Sequence, residues 1–489
     1  MALALEEYKL EINDPVINNI YALSDLHGDL FGTIISLRDC CKVIRKKEGH
    51  PYSQMEKDKQ IKEYLEMDIN SSSYVDDLNY EWIGGNSHVV ICGDIIDNFR
   101  KDDRDPGKPD VYGMFFLEEI KLLRFLNALD EQAQTFGGKI IKLVGNHDFT
   151  NLFCFDINDV RFIKSYVNKR DTSGKFIYNG KEQFRVNFFT THDGRLLYSK
   201  GGCGLICKIH DFVFVHGSIL KDKTFDYYKD LNQRFYKTIR DNMINTPGYL
   251  TLDEINSLKD TSSFLWDRSL GSEETVNLSI IDQTLTTYNR FCGEINSRIS
   301  DFCNKEASCT SNTRLVMGHC PQSFSYYKNL HNSTFTQLES FSDITEVLVG
   351  PVSYSKIEYR PTEDAKAGIY FGISTFCSVN DNFNDPRIYK IDVAMSKAFD
   401  QKSEFQNIAS PDAKNMLNAI LSYKCRTPQV LFIKKDGDSY TTKIIRSKLG
   451  NTLIHLNRPS NPVTIEAISK YENSRMIHVS ATDLYDPFS

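Results

Sequence analysis

The stretch HVVICGDIID, residues 88–97, gives the strongest indication of the fold. After His88, residues 89–92 form a continuous apolar run, as expected of a strand that is covered on both faces of a sheet. The turn that follows the strand contains a glycine, Gly93, and two aspartates, Asp94 and Asp97. Ligands of open α/β sheets bind outside the carboxyl ends of the strands. This turn is therefore a candidate functional loop.

Four more apolar runs end in aspartate, asparagine or histidine, in each case with a glycine in the turn. They lead into DLHGD at 25–29, GNHD at 145–148, HG at 216–217 and GH at 318–319. Helical periodicity over 30–45 and 112–134 separates the first three runs from one another. Strands that alternate with helices predict an α/β fold in which helices cover the sheet.

Six side chains in these turns form a candidate metal site if the turns meet at one edge. They are Asp25, His27, Asp94, Asn146, His216 and His319. Mixed carboxylate and imidazole donors suit Mn, Fe or Zn, whereas a calcium site uses oxygen alone. Six ligands divide naturally over two divalent ions when one carboxylate bridges them. Two such ions can clamp a phosphoryl group and activate a shared water.

The ordered set of motifs resembles that of the calcineurin-like metallophosphoesterase superfamily, DxH, GDxxD, GNH[DE], H and GH. This resemblance implies a two-sheet β-sandwich flanked by helices, in the four-layer order α/β/β/α. It also implies a role for each matching residue. Asp25 and His27 would hold the first metal, Asp94 would bridge, and Asn146, His216 and His319 would hold the second. His147 would be the general acid, and Asp97 would orient it and hold it protonated.

The last motif narrows the resemblance to phosphoprotein phosphatases of the bacterial type. GHCP at 318–321 has proline where nuclease-like members carry a second histidine. FLWDR at 264–268 resembles their LWxR segment, IDVAMS at 391–396 their late strand, and PQVL at 428–431 their final strand pair. The resemblance then covers about residues 18–447 and implies hydrolysis of phosphoserine and phosphothreonine in proteins.

The phosphate-binding residues are where the sequence departs from this family. The usual arginine after GDxxD is absent, and Arg100 follows three positions after Asp97. Arg268 is the better candidate, because a guanidinium fork matches phosphate oxygens. Asn146 is a further candidate contact. A surface position for Arg100 and a structural ion pair for Arg268 are the alternatives.

Three functional interpretations remain open. The leading one is a phosphoprotein (Ser/Thr) phosphatase that uses a water activated by two metal ions. The second is a hydrolase of nucleotides or bis-nucleoside polyphosphates, and the third is a non-catalytic scaffold with the same fold. A net charge of −7 argues against nucleic-acid binding. The expected partner is therefore a phosphorylated protein or a small phosphoester.

One catalytic domain with extensions is predicted. It spans 18–447, with an extension at 1–17 and another at 448–489. Segments rich in polar residues indicate insertions at about 46–87, as a surface helix and loop, and at about 168–200, as hairpins or a lid.

Composition also predicts a location. MALALEEYKL at 1–10 has no apolar core of a signal peptide, and no run approaches the length of a membrane span. The 12 cysteines lack CxxC pairs. We therefore expect reduced thiols and a soluble, cytoplasmic protein without membrane contact.

Overall fold

The computed structural model describes most of the predicted domain. It covers residues 11–12, 14–47, 80–97, 112–154, 169–170, 176–177, 189–270, 281–304, 309–320, 323–329, 365–371, 373–379, 382–393 and 429–446. Arg100 and the predicted extension 448–489 lie outside these ranges, as do residues 48–79 of the first insertion.

Eighteen strands and seven α-helices are present in the described ranges. The strands are β1 Glu11–Ile12, β2 Asn19–Leu23, β3 Ile44–Lys46, β4 Tyr80–Trp82, β5 His88–Ile91, β6 Lys139–Leu143, β7 Lys169–Arg170, β8 Phe176–Ile177, β9 Cys203–Gly204, β10 Ile206–Ile209, β11 Phe212–Val215, β12 Arg314–Met317, β13 Ser323–Asn329, β14 Ala365–Phe371, β15 Ser374–Val379, β16 Asn382–Lys390, β17 Gln429–Asp436 and β18 Ser439–Arg446. The helices are α1 Leu30–Ile35, α2 Tyr112–Gln134, α3 Asn146–Leu152, α4 His192–Ser199, α5 Phe225–Asp241, α6 Leu252–Lys259 and α7 Ile281–Phe302, with a π-helical turn at Ser36–Cys40.

Two six-stranded mixed sheets form the centre of the fold. Sheet I has the order β18-β17-β2-β5-β6-β9, and sheet II has the order β1-β10-β11-β12-β16-β15. In sheet I, β2, β5 and β6 are parallel, with Ala22 opposite Val90. In sheet II, β11 and β12 are parallel, with Val213 opposite Leu315. The strands before the five motif turns are thus divided three to two between the sheets.

Alternation along the strands explains why both faces of each sheet are buried. In β11, Phe212 and Phe214 belong to a core cluster that also contains Val90 of sheet I. Val213 and Val215 belong to a second cluster, which contains residues of the helices. Because successive side chains of a strand point to opposite faces, one set fills the space between the sheets and the other packs under helices. The predicted four-layer sandwich is confirmed.

The predicted helix over 30–45 is only partly correct. Helix α1 begins after Asp29, whose Oδ1 accepts from the backbone N–H of Gly32 at 2.9 Å. Regular helix ends at Ile35, and the π-helical turn ends at Cys40. Lys42 then has a φ of 54°, which no helix accommodates. Ile44 turns away to pair with Trp82. The predicted helix at 112–134 is confirmed as α2.

The described parts of the two predicted insertions differ in content. Tyr80 and Trp82 of β4 are buried, so this end of the first insertion packs into the core. In the second, β7 and β8 pair as an antiparallel hairpin, as expected. Helix α4 was not predicted there, although it buries Arg195 and Tyr198. The predicted final strand pair is confirmed by β17 and β18.

The cysteines do not all remain reduced. Cys292 of α7 and Cys377 of β15 form a disulfide across 85 positions of the sequence. The expectation of thiols alone is wrong for this pair. Neither cysteine lies in a recognisable spacing motif, so the pairing could not be predicted from the sequence. Among the described residues, no helix combines the length and apolar character needed to cross a bilayer.

Candidate metal centre

The side chains of the five motif turns meet at one end of the sandwich, around Asp94. Asp94 Oδ2 lies 3.3 Å from His216 Nε2, 3.6 Å from His27 Nε2 and 3.9 Å from His147 Nε2. Two compact groups result, each with ligand atoms within 4.8 Å of one another. They are His27, Asp94 and His147, and Asp94, His216 and His319. Asp94 is common to both, as a bridging carboxylate must be.

The remaining two predicted donors lie beside these groups. Asp25 Oδ1 is 3.9 Å from His27 Nε2, while Oδ2 accepts from Ser24 Oγ at 2.5 Å and from the His319 backbone N–H at 3.0 Å. Asn146 Oδ1 is 2.8 Å from His216 Nε2. Asn146 Nδ2 is buried and has no hydrogen-bond partner among the described residues. All six predicted donors therefore converge, and their division between two ions remains a prediction.

Five residues of the site have a left-handed backbone. Asp25, His27, Asp94, Asp97 and His319 have φ between 45° and 76°. For residues other than glycine this conformation costs on the order of 1–3 kcal/mol each, and it persists where the surroundings enforce it. The loops enforce it on each other, because the His27 N–H donates to the Asp94 carbonyl at 2.8 Å and the Asp25 N–H to the Gly93 carbonyl at 3.0 Å. Such a concentration of strain is typical of a functional site.

Backbone carbonyls orient two of the imidazoles. His216 Nδ1 lies 2.9 Å from the Cys92 carbonyl oxygen, which leaves Nε2 facing Asp94. His319 Nε2 lies 3.2 Å from the Trp266 carbonyl oxygen, and its Nδ1 is 3.2 Å from His216 Nε2. Metal-binding histidines are commonly fixed in this way, with one ring nitrogen hydrogen-bonded and the other directed to the ion.

His147 and Asp97 form a buried pair beside the first group. His147 Nδ1 and Asp97 Oδ2 are 2.5 Å apart, and Asp97 is fully buried. The Asp97 backbone N–H donates to Glu119 Oε1 at 2.8 Å, which anchors the turn to α2. Nε2 of His147 is directed toward Asp94. The pair is therefore placed to donate a proton into the site, and His147 is also close enough to His27 to share a metal with it.

The electrostatics of the site favour a bound cation. Burial alone would raise the pKa of Asp94, but the imidazoles of His216 and His147 outweigh it and hold that pKa well below the usual value. Burial opposes a charge on His216, yet Asp94 and Asp25 raise its pKa to about 9. Burial, His216 and Arg268 lower the pKa of His319 well below normal. In the metal-free site His216 therefore favours the protonated form beside Asp94 and Asp25, and a metal cation would take the place of this proton.

Two residues of the site had no role in the sequence prediction. Asp148 accepts from the N–H groups of Gly145 at 2.9 Å, Ile95 at 3.2 Å and Ile96 at 2.9 Å, so it joins two of the motif turns. Burial, with repulsion from Asp94, raises its pKa to about 7. The ring of Trp266 lies 6.3 Å from that of His147 and 6.2 Å from that of His319. The LWxR resemblance is the only sequence signal that could have placed this tryptophan at the site.

The two predicted phosphate-binding arginines have different outcomes. Arg268 Nε is 3.1 Å from His319 Nε2, while the residue as a whole is exposed. It therefore lies at the solvent-exposed side of His319, and its role in phosphate binding stays a prediction. Arg100 lies outside the described residues, and its role stays a prediction.

The donor chemistry fits a pair of divalent ions. Two buried triads share one carboxylate, and an unpaired amide nitrogen of Asn146 lies beside them. Buried carboxylates and unpaired amide groups are costly unless a charge or an acceptor compensates them. Imidazole and carboxylate together suit Mn, Fe or Zn.

Comparison with known proteins gives partial matches. No family model matches the chain. The chain is 35% identical over 132 residues to an uncharacterized protein of Schizosaccharomyces pombe, which covers 27% of this chain and 25% of that protein. It is 33% identical over 76 residues to Shewanella-like protein phosphatase 2 of Arabidopsis thaliana, which covers 16% of this chain and 15% of that protein. The matched region thus spans a quarter or less of the length of these relatives.

Solved structures of cold-active protein tyrosine phosphatase are also similar. One has 14% sequence identity and a TM-score of 0.37, and the match covers 89% of this chain and 80% of that chain. Another, from a psychrophilic Shewanella species, has 18% identity and a TM-score of 0.32, covering 64% and 67%. The resemblance to phosphoprotein phosphatases seen in the motifs is confirmed by the sequence match to a protein phosphatase.

Proposed function

We propose that this protein is a metal-dependent phosphoester hydrolase whose substrates are phosphorylated serine and threonine side chains of proteins. The observation that carries the proposal is the convergence of the six predicted donors and the His147–Asp97 pair at one end of the sandwich. The similarity to a protein phosphatase supports the same class of reaction.

Asp25 and His27 would hold one ion, Asn146, His216 and His319 the other, and Asp94 would contact both. Two divalent ions bound there would supply Lewis acidity toward a phosphoryl oxygen and would lower the pKa of a water. The hydrogen bonds to Cys92 and Trp266 would keep the imidazoles in the required orientation.

His147 would donate the proton that the leaving oxygen needs. With Nδ1 hydrogen-bonded to Asp97, the Nε2 proton is directed into the site, and the carboxylate stabilises the imidazolium form. Arg268 would bind the phosphate oxygens from the mouth of the site, and Asn146 Nδ2 would donate to a further oxygen. Trp266 would exclude water from the space between His147 and His319.

The first test is hydrolysis of p-nitrophenyl phosphate by purified protein loaded with Mn²⁺. We expect turnover, and we expect Asp94→Asn to lower kcat by about a hundredfold or more, because the bridging carboxylate is lost. The matched control is Asp230→Asn, the same change at a helix surface where the carboxylate binds Arg234. Full activity in Asp94→Asn, or none in the wild type, would refute the proposal.

A substrate panel tests the finer part of the proposal. Peptides carrying phosphoserine, phosphothreonine or phosphotyrosine are compared with a dinucleoside tetraphosphate at equal concentration. Higher kcat/KM for the phosphoserine and phosphothreonine peptides supports the proposal. Preference for the tetraphosphate would favour the nucleotide hydrolase, and fewer than one metal ion per chain in elemental analysis would favour the scaffold.

A further inference from the structure

Arg298 of α7 is a buried guanidinium that the proposed chemistry does not use. Nη1 donates to Asp267 Oδ2 at 2.6 Å, to the Ile219 carbonyl at 3.0 Å and to Ser218 Oγ at 3.3 Å. Nη2 donates to Ser269 Oγ at 2.8 Å and to Glu294 Oε1 at 2.9 Å. Only 8% of Arg298 is exposed. One side chain therefore joins three segments of the protein.

Two of the Arg298 partners flank the candidate phosphate-binding residue. Asp267 and Ser269 lie on either side of Arg268, and the Ser269 N–H donates to Asp267 Oδ1 at 2.8 Å. This bond closes a local turn of the kind that aspartate side chains form with the second residue onward. Because Oδ1 closes the turn and Oδ2 accepts from Arg298, a single carboxylate couples the turn to α7. Arg268 is the middle residue of this turn.

The third segment follows the metal donor His216. The Ser218 N–H donates to the Phe264 carbonyl at 2.9 Å, so the loop after β11 lies directly against the segment that leads to Arg268. Gly217 permits this contact, because a Cβ there would lie 2.3 Å from the Phe264 carbonyl oxygen. Arg298 donates to the same loop, at Ser218 Oγ and the Ile219 carbonyl. It therefore fixes the Arg268 turn relative to the metal centre.

We propose that Arg298, through Asp267, is a positioning residue that holds Arg268 in place for binding of the substrate phosphate. The inference rests on the proposed function, because it takes Arg268 to contact phosphate. Lysine cannot replace Arg298 fully, since an ammonium group lacks the planar fork that reaches Asp267, Ser269 and Ile219 together. Within the described part of the chain, the hydrogen bonds of Arg298 go to other residues than the metal donors, so its loss should leave metal binding intact.

The experiment is a double-mutant comparison on protein loaded with Mn²⁺. Arg298→Met, Arg268→Ala and the double variant are compared with wild type. The readouts are KM and kcat for a phosphoserine peptide, the dissociation constant for inorganic phosphate by calorimetry, and bound metal by elemental analysis. Arg298→Lys and Asp267→Asn serve as milder variants that keep the fold if Arg298→Met does not. Arg234→Met is the matched control, since Arg234 also bridges two carboxylates, Asp230 and Glu254, away from the site.

We expect Arg268→Ala to weaken phosphate binding by about tenfold to a hundredfold, the range for hydrogen bonds to a charged group. Arg298→Met should raise KM and the phosphate dissociation constant about tenfold, with metal content unchanged, and Arg298→Lys should recover part of the loss. In the Arg268→Ala background, Arg298→Met should add less than about twofold, because its effect passes through Arg268.

Several outcomes would overturn the inference. It is wrong if the two single effects multiply in the double variant, if Arg298→Met loses metal, or if Arg234→Met raises KM equally. Its failure is separable from that of the proposed function. A wild type that binds phosphate with this coupling but hydrolyses no phosphopeptide keeps the inference and refutes the function. A wild type that hydrolyses phosphopeptides with independent effects of Arg268 and Arg298 does the reverse.

Discussion

His147 occupies a position where two chemical roles overlap. Its Nδ1 is bound to Asp97, which suits a proton donor, yet its Nε2 belongs to the same compact group as His27 and Asp94, which suits a metal ligand. The sequence resemblance implies the first role. The two roles differ in how much they depend on the leaving group, so kinetics can separate them.

For His147→Gln we expect a loss of kcat that depends on the substrate. Nitrophenolate leaves without help, whereas the alkoxide of serine needs a proton. If His147 is the acid, kcat for a phosphoserine peptide should fall by about 10²–10⁴-fold, with a much smaller loss for p-nitrophenyl phosphate. Equal losses on both substrates, together with reduced metal content, would instead identify His147 as a ligand. His192→Gln, the same change at an exposed position at the start of α4, is the matched control.

The raised pKa of His216 predicts that metal binding depends on pH. Its pKa is raised to about 9 in the metal-free site, chiefly by Asp94 and Asp25 acting against burial. A metal must displace this proton, so affinity should improve by up to about tenfold per pH unit between pH 7 and 9. Calorimetry in two buffers of different ionisation enthalpy should detect about one proton released per site. Affinity that is constant over this range would contradict the prediction.

The same proton has the opposite effect on the stability of the metal-free protein. Because the pKa of His216 is higher in the folded than in the unfolded state, its stabilising contribution is complete below about 6.5 and is lost as pH rises through about 9. Metal-free protein should therefore become easier to unfold with urea over this interval. Protein saturated with metal should lose less over the same interval.

Among single residues, the metal donors were predictable and their surroundings were not. Each donor lies within a few residues of the end of an apolar run, in a turn that contains a glycine, which is a local signal. The left-handed backbone at Asp25 and His319 arises from contact between loops almost three hundred positions apart, where the His319 N–H donates to Asp25. Arg298 gives no local signal at all, since an arginine on a polar helix is ordinarily exposed.

At the scale of elements, α7 shows how a helix serves both packing and the site. Ile295, Arg298, Ile299 and Phe302 are buried and recur at helical spacing, so they form the inner face. Gly293 lies on the exposed side, and a Cβ placed there would meet no atom of the described residues within 4 Å. The inner face fixes the position of Arg298, whereas Gly293 contributes only flexibility to the unfolded chain.

Gly293→Ala should therefore stabilise the protein. We expect the free energy of unfolding to rise by about 0.5–1 kcal/mol, because alanine restricts the unfolded chain and favours helix. Gly248→Ala is the matched control, since an added Cβ would likewise meet no atom of the described part of the chain within 4 Å, but the φ of Gly248 is +85°. That variant should destabilise. Urea denaturation of both variants measures the two signs, and a decrease for Gly293→Ala would refute the argument.

Element prediction succeeded where one pattern dominated and failed where two competed. The strands before HG at 216–217 and GH at 318–319 are confirmed as β11 and β12, because continuous apolar runs leave few alternatives. Residues 41–45 belong to the helix predicted over 30–45. Tertiary contacts override that pattern, since Ile44 pairs with Trp82 from across the first insertion.

For the whole molecule, the disulfide between Cys292 and Cys377 is a constraint that the sequence did not indicate. It links α7 to β15 of sheet II across 85 positions. On the chain-entropy model, closing a loop of this length stabilises by on the order of 4 kcal/mol, and typical measured values are about 2–4 kcal/mol. It also removes the uniform reduction of the thiols as an argument for a cytoplasmic location.

Reduction of this bond should lower stability measurably. We expect dithiothreitol to decrease the free energy of unfolding by about 2–4 kcal/mol in the wild type and to have no effect on Cys377→Ser. Urea melts with and without the reductant provide the measurement. Identical melts of the wild type under both conditions would show that the bond does not contribute.

The α/β class was predictable because apolar runs that alternate with helical patterns are local features of the sequence. Which sheet a strand joins is not, since that depends on pairing between distant segments. Thus the four layers were predicted from the family resemblance, whereas the division of the five motif strands between sheets I and II emerged only from the structure.

That division has a mechanical consequence. Asp25, His27, Asp94 and Asn146 follow strands of one sheet, while His216 and His319 follow strands of the other. Any sliding of sheets I and II past each other would separate the candidate ligand atoms of one sheet from those of the other. A cation bound by residues of both sheets would cross-link the two sheets. Removal of the cation would then reduce both the catalytic capacity and the rigidity of that end of the molecule.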